Sequence, residues 1–290
     1  TAMTSATKPP AACLIGWPAA HSRSPLIHHY WLRTLGIAGG YVIEAVPPDE
    51  FKDFIFRLSL RGFVGANVTI PHKERALSLS KPDARARAVG AANTLWFENG
   101  ELCSTNTDVE GFINNLDACA DGWDRCEDAL VLGAGGSSRA VVFGLFDRGI
   151  KRIHLANRTI ERARALADQF GASVLPVAWD ALGALLPRAG LVVNTTSLGM
   201  KGQPPLELDV GQLPPHAVVA DLVDRGPHRG GLPVRIHQYP ASHVAGRAAD
   251  RLDQRALRPQ EAFLVRVEDR DQRHLGQVEP LAQQVDPDEH

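Results

Sequence analysis

The stretch Ala129-Leu130-Val131-Leu132-Gly133-Ala134-Gly135-Gly136-Ser137-Ser138-Arg139-Ala140 joins an apolar strand, a glycine turn and the start of a helix. This order of elements is typical of a dinucleotide-binding α/β domain. Gly133 would permit the tight turn, Gly135 would let the backbone approach a pyrophosphate, and the helix amino terminus would hold its charge. The sequence therefore predicts nucleotide contacts from Gly133, Ala134, Gly135, Gly136 and Ser137.

The next predicted strand, Arg152–Ala156, is followed by Asn157, Arg158 and Thr159. An acidic side chain at this position would hold the ribose 2′-hydroxyl of NAD. An arginine between two hydrogen-bonding side chains instead suits the 2′-phosphate of NADP, so NADP is the predicted cofactor. The alternative is a surface arginine that opens a helix.

A loop follows the predicted strand Leu191–Asn194, and it runs from Thr195 to Met200. Open α/β sheets bind ligands at the carboxyl ends of their strands. Thr195 and Met200 are therefore predicted to shield a nicotinamide ring. The alternative is an ordinary polar turn.

A second informative stretch is Gly65-Ala66-Asn67-Val68-Thr69-Ile70-Pro71-His72-Lys73. Its alternation predicts a strand with Asn67 and Thr69 on one face. Pro71 ends that strand and suits the first turn of a following helix, which would also carry Lys73. A lysine beside two hydrogen-bonding side chains can donate and accept a proton. The alternative is a strand end followed by a solvated lysine.

Two serines precede a predicted amphipathic helix that starts near Pro25. Ser24 is predicted to be the N-cap, with Pro25 at the first helical position. Ser22 and Ser24 also bring hydroxyls and backbone N–H groups together, which suits a carboxylate. The alternative is that Ser24 only caps the helix.

Asn99-Gly100 lies between two strand-like runs and predicts a two-residue hairpin turn. In that register the hairpin carries Asn93 and Asp108 to the same end. They form a candidate polar pair for a ligand, and the alternative is that both only cap strand ends.

Composition favours a small-molecule enzyme, and the alternation of predicted strands and helices favours an α/β fold. Among 290 residues, 44% are hydrophobic, 22% are charged and the net charge is −2, which provides no basic surface for nucleic acid or an anionic membrane. The four cysteines form no C-x-x-C pair, which predicts reduced thiols in the cytoplasm and neither a zinc site nor a disulfide framework. The predicted domains are an α/β substrate domain with a mostly parallel sheet (12–110), a Rossmann-like NADP domain (111–230) and an atypical segment (231–290).

Seven segments together resemble the shikimate dehydrogenase family: HSRSP, NVTIPHK, AANT, NTD, GAGGSSRA, NRT and NTTSLGM. The resemblance implies reduction of 3-dehydroshikimate to shikimate with NADPH, the fourth step of chorismate biosynthesis, in a cleft between two domains. It implies that Lys73 is the catalytic acid and base, paired with Asp108. By the same resemblance Ser22 and Ser24 bind the substrate carboxylate, and ring hydroxyls are held by Asn67, Thr69, Asn93 and Asp108. The state of the protein, monomer or homodimer, stays open.

The chain departs from this family after Val223. Family members continue with a tyrosine and later carry a G-x-x-M-L-x-x-Q helix, whereas Asp224 follows here and no such segment appears. We expect that a reading-frame change near codon 224 replaced the carboxyl terminus. Two alternatives therefore stay beside shikimate dehydrogenase: a quinate/shikimate dehydrogenase, and a weakly active or silent NADP-binding homologue.

Overall fold

The computed structural model describes residues 9–20, 22–199 and 202–222, and the backbone of 263–266. Within these residues the strands form two six-stranded sheets, one in each half of the chain. The α/β pattern read from the sequence is thus observed. The predicted segment 231–290 lies outside the described residues except for this last short backbone stretch.

The first sheet combines a parallel core with an antiparallel hairpin. Its strands are β1 (Ala11–Gly16), β2 (Gly40–Ala45), β3 (Phe63–Val68), β4 (Lys81–Pro82), β5 (Thr94–Glu98) and β6 (Glu101–Thr105), in the order β2-β1-β3-β5-β6-β4. Strands β2 and β3 run parallel to β1, β5 is antiparallel to both β3 and β6, and β4 is parallel to β6. The helices of this half are α1 (Ser24–Thr34), α2 (Phe51–Phe56), α3 (Lys73–Ser78) and α4 (Ala84–Val89).

The β5–β6 turn has the predicted register. Glu98 pairs with Glu101, and the turn residues Asn99 and Gly100 have φ values of 51° and 82°. Positive φ at both central positions is the geometry that an Asn-Gly turn adopts between strands.

Two predicted helix starts are wrong in detail. Helix α1 has Arg23 as its N-cap and Ser24 as its first residue, and the Ser24 backbone N–H donates to the Ser22 hydroxyl over 3.2 Å. Ser22 therefore supplies the hydroxyl that Ser24 was expected to provide. Helix α3 begins at Lys73 itself, so Pro71 lies in the loop before the helix rather than in its first turn.

The second sheet is parallel except at one edge. Its strands are β7 (Asp128–Leu132), β8 (Arg152–Ala156), β9 (Val174–Val177), β10 (Leu191–Asn194), β11 (Val218–Asp221) and the antiparallel β12 (Phe263–Arg266), in the order β12-β11-β10-β7-β8-β9. Its helices are α5 (Asp108–Cys119), α6 (Gly136–Asp147), α7 (Ile160–Phe170) and α8 (Leu182–Leu185). Every residue of β7 is buried, as expected for a central parallel strand with both faces covered.

The strand order of the second sheet reverses between β7 and β10. Such a reversal leaves a crevice at the carboxyl ends of the two strands, where open α/β sheets bind ligands. The glycine turn follows β7 and the loop from Thr195 follows β10, so the fold brings these two predicted segments to one place.

Helix α5 connects the two halves and packs with the second. Its buried Phe112 and Leu116 belong to the core that α6 and the second sheet share. Its first residue, Asp108, follows the hairpin of the first sheet and is thereby placed at the boundary. The exact domain limits remain a prediction. Among the described residues, no helix has the length and apolarity to cross a membrane.

Candidate active site

Lys73 lies at the meeting point of the two halves. Its side chain is mostly buried, and Nζ donates to Asp108 Oδ2 over 2.7 Å and to Ser137 Oγ over 3.4 Å. The first partner begins α5 and the second lies in the glycine loop at the start of α6. A positively charged donor of this kind, shielded from water, can both stabilise charge on a nearby oxygen and supply a proton to it.

The stem of Lys73 packs directly against the glycine loop. A Cβ atom added to Gly136 would lie 2.9 Å from Lys73 Cβ and 3.4 Å from its Cδ. Only glycine allows this close approach, so Gly136 is needed for the position of the lysine.

The loop before Lys73 is anchored by His72, a residue to which the sequence had assigned no role. His72 is 1% exposed, its ring stacks on Phe51 at 4.3 Å, and its Nε2 lies 2.7 Å from the Val46 carbonyl oxygen. Burial lowers the pKa of this histidine, which favours a neutral ring that donates from Nε2 to the carbonyl. The histidine fixes the residue at which α3 begins.

Asp108 is oriented by two asparagines. Asn93 Nδ2 donates to Asp108 Oδ1 over 2.8 Å, and the Asp108 backbone N–H donates to Asn106 Oδ1 over 3.0 Å. Asn106 is fully buried and donates to the Ala91 carbonyl oxygen over 3.0 Å. The sequence predicted that Asn93 and Asp108 would meet, and it missed Asn106. The signal was present, because the side-chain oxygen of an asparagine often accepts a hydrogen bond from the backbone N–H two residues further along the chain.

A continuous series of hydrogen bonds links most of the predicted substrate residues. Tyr41 OH donates to Asn67 Oδ1 over 2.7 Å, and Asn67 Nδ2 donates to Thr94 Oγ1 over 3.2 Å. Thr94 Oγ1 donates to Asn93 Oδ1 over 3.1 Å, and Asn93 continues the series to Asp108 and Lys73. Polar side chains connected in this way are held in one arrangement, because each fixes the next.

The two serines bond to each other, and His28 links them to Tyr41. Ser22 Oγ donates to Ser24 Oγ over 3.1 Å, and the Ser24 carbonyl oxygen lies 2.8 Å from His28 Nδ1. The Tyr41 ring stacks on His28 at 3.8 Å, and burial raises the pKa of its hydroxyl. The neutral hydroxyl is therefore a fixed donor.

Tyr41 and Thr94 belong to this series of hydrogen bonds, and the sequence predicted a role for neither. Both lie on strands that look ordinary in the sequence, where no local pattern distinguishes a polar contact across the sheet from a strand-forming residue.

Thr69 lies just beyond the strand that was predicted to contain it. Strand β3 ends at Val68, and the Thr69 backbone N–H donates to the Ile15 carbonyl oxygen over 2.9 Å. A Cβ added to Gly16 would lie 2.4 Å from Thr69 Cγ2, so the threonine side chain packs against the end of β1. The shared face of Asn67 and Thr69 remains a prediction.

The glycine turn has the features that a bound dinucleotide requires. Gly133 has φ of 105°, and a Cβ there would lie 2.7 Å from Thr195 Oγ1, so close packing by Thr195 also requires glycine. Open space surrounds the position where Gly135 would carry a Cβ. The α6 amino terminus that follows can hold a pyrophosphate. The residues present therefore fit a dinucleotide.

Ser138 stands where the usual dinucleotide-binding pattern, G-x-G-x-x-G, has its third glycine, and it takes a structural role. Its Oγ accepts from the Gly135 backbone N–H over 3.1 Å and lies 2.5 Å from Thr195 Oγ1. Thr195 Oγ1 also donates to the Leu132 carbonyl oxygen over 2.7 Å. These bonds tie the end of β10 to the glycine turn. Met200 lies outside the described residues.

Arg158 lies in a position that suits the binding of an anion. It follows the end of β8, its side chain is exposed, and it forms no ion pair within the described parts of the chain. Its neighbour Asn157 donates to the Thr159 carbonyl oxygen over 2.8 Å, which shapes the turn. A guanidinium that is exposed and unpaired is available for a phosphate.

Comparison with known proteins identifies the family. Residues 14–95 match the family model of the shikimate dehydrogenase substrate binding domain, and residues 122–200 match that of shikimate / quinate 5-dehydrogenase. The shikimate dehydrogenase (NADP(+)) of Nitrobacter hamburgensis is 75% identical over 221 residues, which cover 76% of this chain and 78% of the relative. The chain belongs to the shikimate dehydrogenase family. The family predicted from seven short segments is thereby confirmed.

Further members of the shikimate dehydrogenase family agree with this assignment. The shikimate dehydrogenase (NADP(+)) of Rhodopseudomonas palustris strain BisB18 is 74% identical over 217 residues, which cover 75% of this chain and 78% of the relative. The solved shikimate 5-dehydrogenase of Thermus thermophilus, in complex with NADP(H) and shikimate, is 34% identical with a TM-score of 0.64. That match covers 78% of this chain and 80% of the solved chain. The predicted fold class, two domains of which one is Rossmann-like, is confirmed.

Proposed function

We propose that this chain interconverts shikimate and 3-dehydroshikimate with NADP as its cofactor, and that Lys73 transfers the proton. The enzyme class and the cofactor rest on relatives about three quarters identical. The role of Lys73 rests on one observation: its Nζ lies between the Asp108 carboxylate and the glycine loop, at 2.7 Å and 3.4 Å. A proton donor is needed where the substrate and the nicotinamide meet.

The cofactor, when bound, supplies or accepts the hydride at the carbon of the reacting ketone or alcohol. In the reducing direction, charge builds on the ketone oxygen, and the Lys73 ammonium stabilises that charge and gives its proton to the oxygen. In the oxidising direction, neutral Lys73 takes the proton of the hydroxyl. Asp108 accepts a hydrogen bond from Lys73 in this structure and keeps the amine directed toward the boundary between the domains.

The remaining residues would bind and orient. Ser22 and Ser24 would take the substrate carboxylate, and Asn67, Thr69 and Asn93 would hold ring hydroxyls. The hydrogen bonds from Tyr41 through Asn67 and Thr94 to Asn93 support the assignment of Asn67 and Asn93, because they hold these side chains as one connected group.

The nucleotide would be held by the glycine turn and the end of β8. Its pyrophosphate would lie over Gly133, Ala134, Gly135, Gly136 and Ser137. Arg158 would bind the 2′-phosphate, with Asn157 and Thr159 shaping the turn, and Thr195 and Met200 would border the nicotinamide. The open space above Gly135 and the exposed Arg158 support this arrangement.

The same proposal includes a cytoplasmic location, the absence of nucleic acid and membrane partners, and a monomeric or homodimeric state. The near-neutral charge and the four cysteines, all of which are free thiols in the described residues, support the first two.

Turnover measurements test the function. NADPH formation is followed by absorbance with shikimate and NADP, and again with quinate and with NAD. We expect shikimate with NADP to give the highest kcat/KM. Preference for quinate would favour the quinate/shikimate alternative, and no turnover with any pair would favour the silent homologue.

The role of Lys73 is tested by Lys73→Met, which keeps most of the buried stem and removes the amine. We expect kcat to fall by about 10² to 10⁴, the usual contribution of a general acid and base. Lys81→Met is the matched control, because that lysine is exposed and pairs only with Glu101 on the neighbouring strand within the described residues. Undiminished turnover in Lys73→Met would contradict the proton-transfer role.

A further inference from the structure

An ion pair crosses the boundary between the domains right beside Lys73. Glu74 follows Lys73 in α3, and its Oε2 lies 3.2 Å from Arg139 Nη2 in the first turn of α6. Its other oxygen lies 3.7 Å from Arg162 Nη2 in α7. The Glu74 carboxylate of the first domain thus forms ion pairs with two guanidinium groups of the second domain.

Arg139 is itself held by Gln169, a residue of its own domain that bonds across the boundary. Its Nη1 donates to Gln169 Oε1 over 2.7 Å, and Gln169 Nε2 donates to the Ala88 carbonyl oxygen of α4 over 2.7 Å. Gly90, with φ of 75°, makes room for this arrangement, since a Cβ there would lie 2.9 Å from Arg139 Nη1. The guanidinium is therefore enclosed by groups of both domains.

Stability alone does not explain this arrangement. Glu74 is 40% exposed at its side chain, and ion pairs exposed to solvent add little to stability. Arg139 Nε is buried and has no hydrogen-bond partner among the described residues, which costs free energy. Arg139 instead fixes the positions of its neighbours, because its planar guanidinium donates to Gln169 Oε1 and Glu74 Oε2 in fixed directions.

The pair lies where geometry matters for the reaction. Lys73 and Glu74 are the first two residues of α3, and Ser137 and Arg139 lie in the first turn of α6. The direct bond between Lys73 and Ser137 is long, at 3.4 Å, and so is a weak restraint. The neighbouring Arg139–Glu74 pair can supply the restraint that this bond lacks.

We infer that Arg139 and Glu74 are positioning residues that fix α3 against α6 and thereby set the distance from Lys73 to the reacting atoms. This inference rests on the proposed function. A displacement of about 1 Å can cost about 10² in rate, because the reacting groups must meet in a narrow range of distances. The two domains bind different ligands, so the restraint acts on turnover rather than on either binding step.

The test uses Glu74→Gln, Arg139→Met and the double variant in the full-length protein. We expect each single variant to lower kcat by about tenfold, and the loss in the double variant to match that of the more impaired single variant within about twofold. Dissociation constants for NADP alone and shikimate alone, measured by titration calorimetry, should stay within about threefold of the parent. Hydrogen exchange of α3 in the ligand-free protein should be faster in all three variants.

Arg164→Met is the matched control. Arg164 pairs with Glu161 over 3.9 Å on the same helix and is mostly exposed, so its loss removes an arginine without touching the boundary. Unchanged kcat in both single variants, additive losses in the double variant, or a loss of either binary affinity equal to the loss of kcat would overturn the positioning role. An inactive parent protein would overturn the proposed function itself, whereas an active parent with unchanged variants would overturn only this inference.

Discussion

Replacing Gly136 with alanine tests whether the position of Lys73 depends on its contact with the glycine loop. The added Cβ would lie 2.9 Å from Lys73 Cβ, whereas ordinary contacts begin at about 3.4 Å. The lysine stem or the domain boundary must therefore move by several tenths of an ångström. Because the contact is with Cβ, near the backbone, the stem cannot relieve it by rotating about its own bonds.

We expect Gly136→Ala to lower kcat by about tenfold, since a shift of this size is a fraction of the 1 Å displacement that can cost about 10². Folding should be retained, because overpacking of this kind typically costs about 1 to 3 kcal/mol. The measurements are kcat for shikimate oxidation, the dissociation constant for NADP, and thermal unfolding by circular dichroism. The change in kcat should exceed the change in NADP affinity.

Gly183→Ala is the matched control, because it lies in α8 and open space surrounds the position of its added Cβ. It should leave kcat unchanged. If Gly136→Ala keeps kcat within about twofold of the parent, or loses NADP affinity and kcat in equal measure, then the packing of Lys73 on Gly136 does not set the rate.

Three further predictions concern stability and the cofactor. Gly65→Ala should lower the free energy of unfolding by about 3 kcal/mol in urea titrations, because its Cβ would lie 2.4 Å from the Leu95 carbonyl oxygen of the adjacent strand. Asp128→Asn should cost about 2 kcal/mol at pH 7, because a hydrogen bond from Arg152 holds the pKa of this buried carboxyl well below its usual range. The stabilisation is present above the unfolded pKa near 4 and is lost as pH falls toward the depressed folded pKa, so the difference between parent and variant should shrink below about pH 4. Arg158→Ala should raise the KM for NADP by about 10- to 100-fold and leave that for NAD within about threefold.

Each of these three predictions can be contradicted by one result. Gly111→Ala, placed in open space within α5, should not destabilise, so equal losses at positions 65 and 111 would exclude the strand clash as the cause. A stability difference for Asp128→Asn that stays constant from pH 7 to pH 3 would show that the carboxylate charge is not involved. Equal effects of Arg158→Ala on NADP and NAD would remove the 2′-phosphate contact from the proposal.

The sequence by itself determined the turns, because their backbone angles depend only on neighbouring residues. The Asn99-Gly100 turn followed from the backbone angles that these two residues accept, and its register brought Asn93 to Asp108 as predicted. The glycine turn after β7 followed from the strand and helix around it, and Gly133 has the positive φ that the turn requires.

The predictions made from the sequence were less accurate at helix starts. Ser22 and Ser24 both satisfy the preferences of an N-cap, so local preference could not decide which hydroxyl accepts the first helical N–H. Pro71 suits either the first turn or the loop before it, and the anchoring of His72 on Phe51 and Val46 decided that α3 begins at Lys73.

Only the tertiary structure decided which residues act together. Tyr41 and Thr94 both bond to Asn67, which lies 26 and 27 positions away, and contacts at that separation leave no periodic signal. The contact of Lys73 with Ser137 and Gly136, and the pairing of Glu74 with Arg139, join residues more than 60 positions apart. Hydrophobic periodicity and turn preference reach only a few residues along the chain, so they specify the elements of each domain. The distance between a lysine in one domain and a glycine loop in the other depends on how the two packed cores meet.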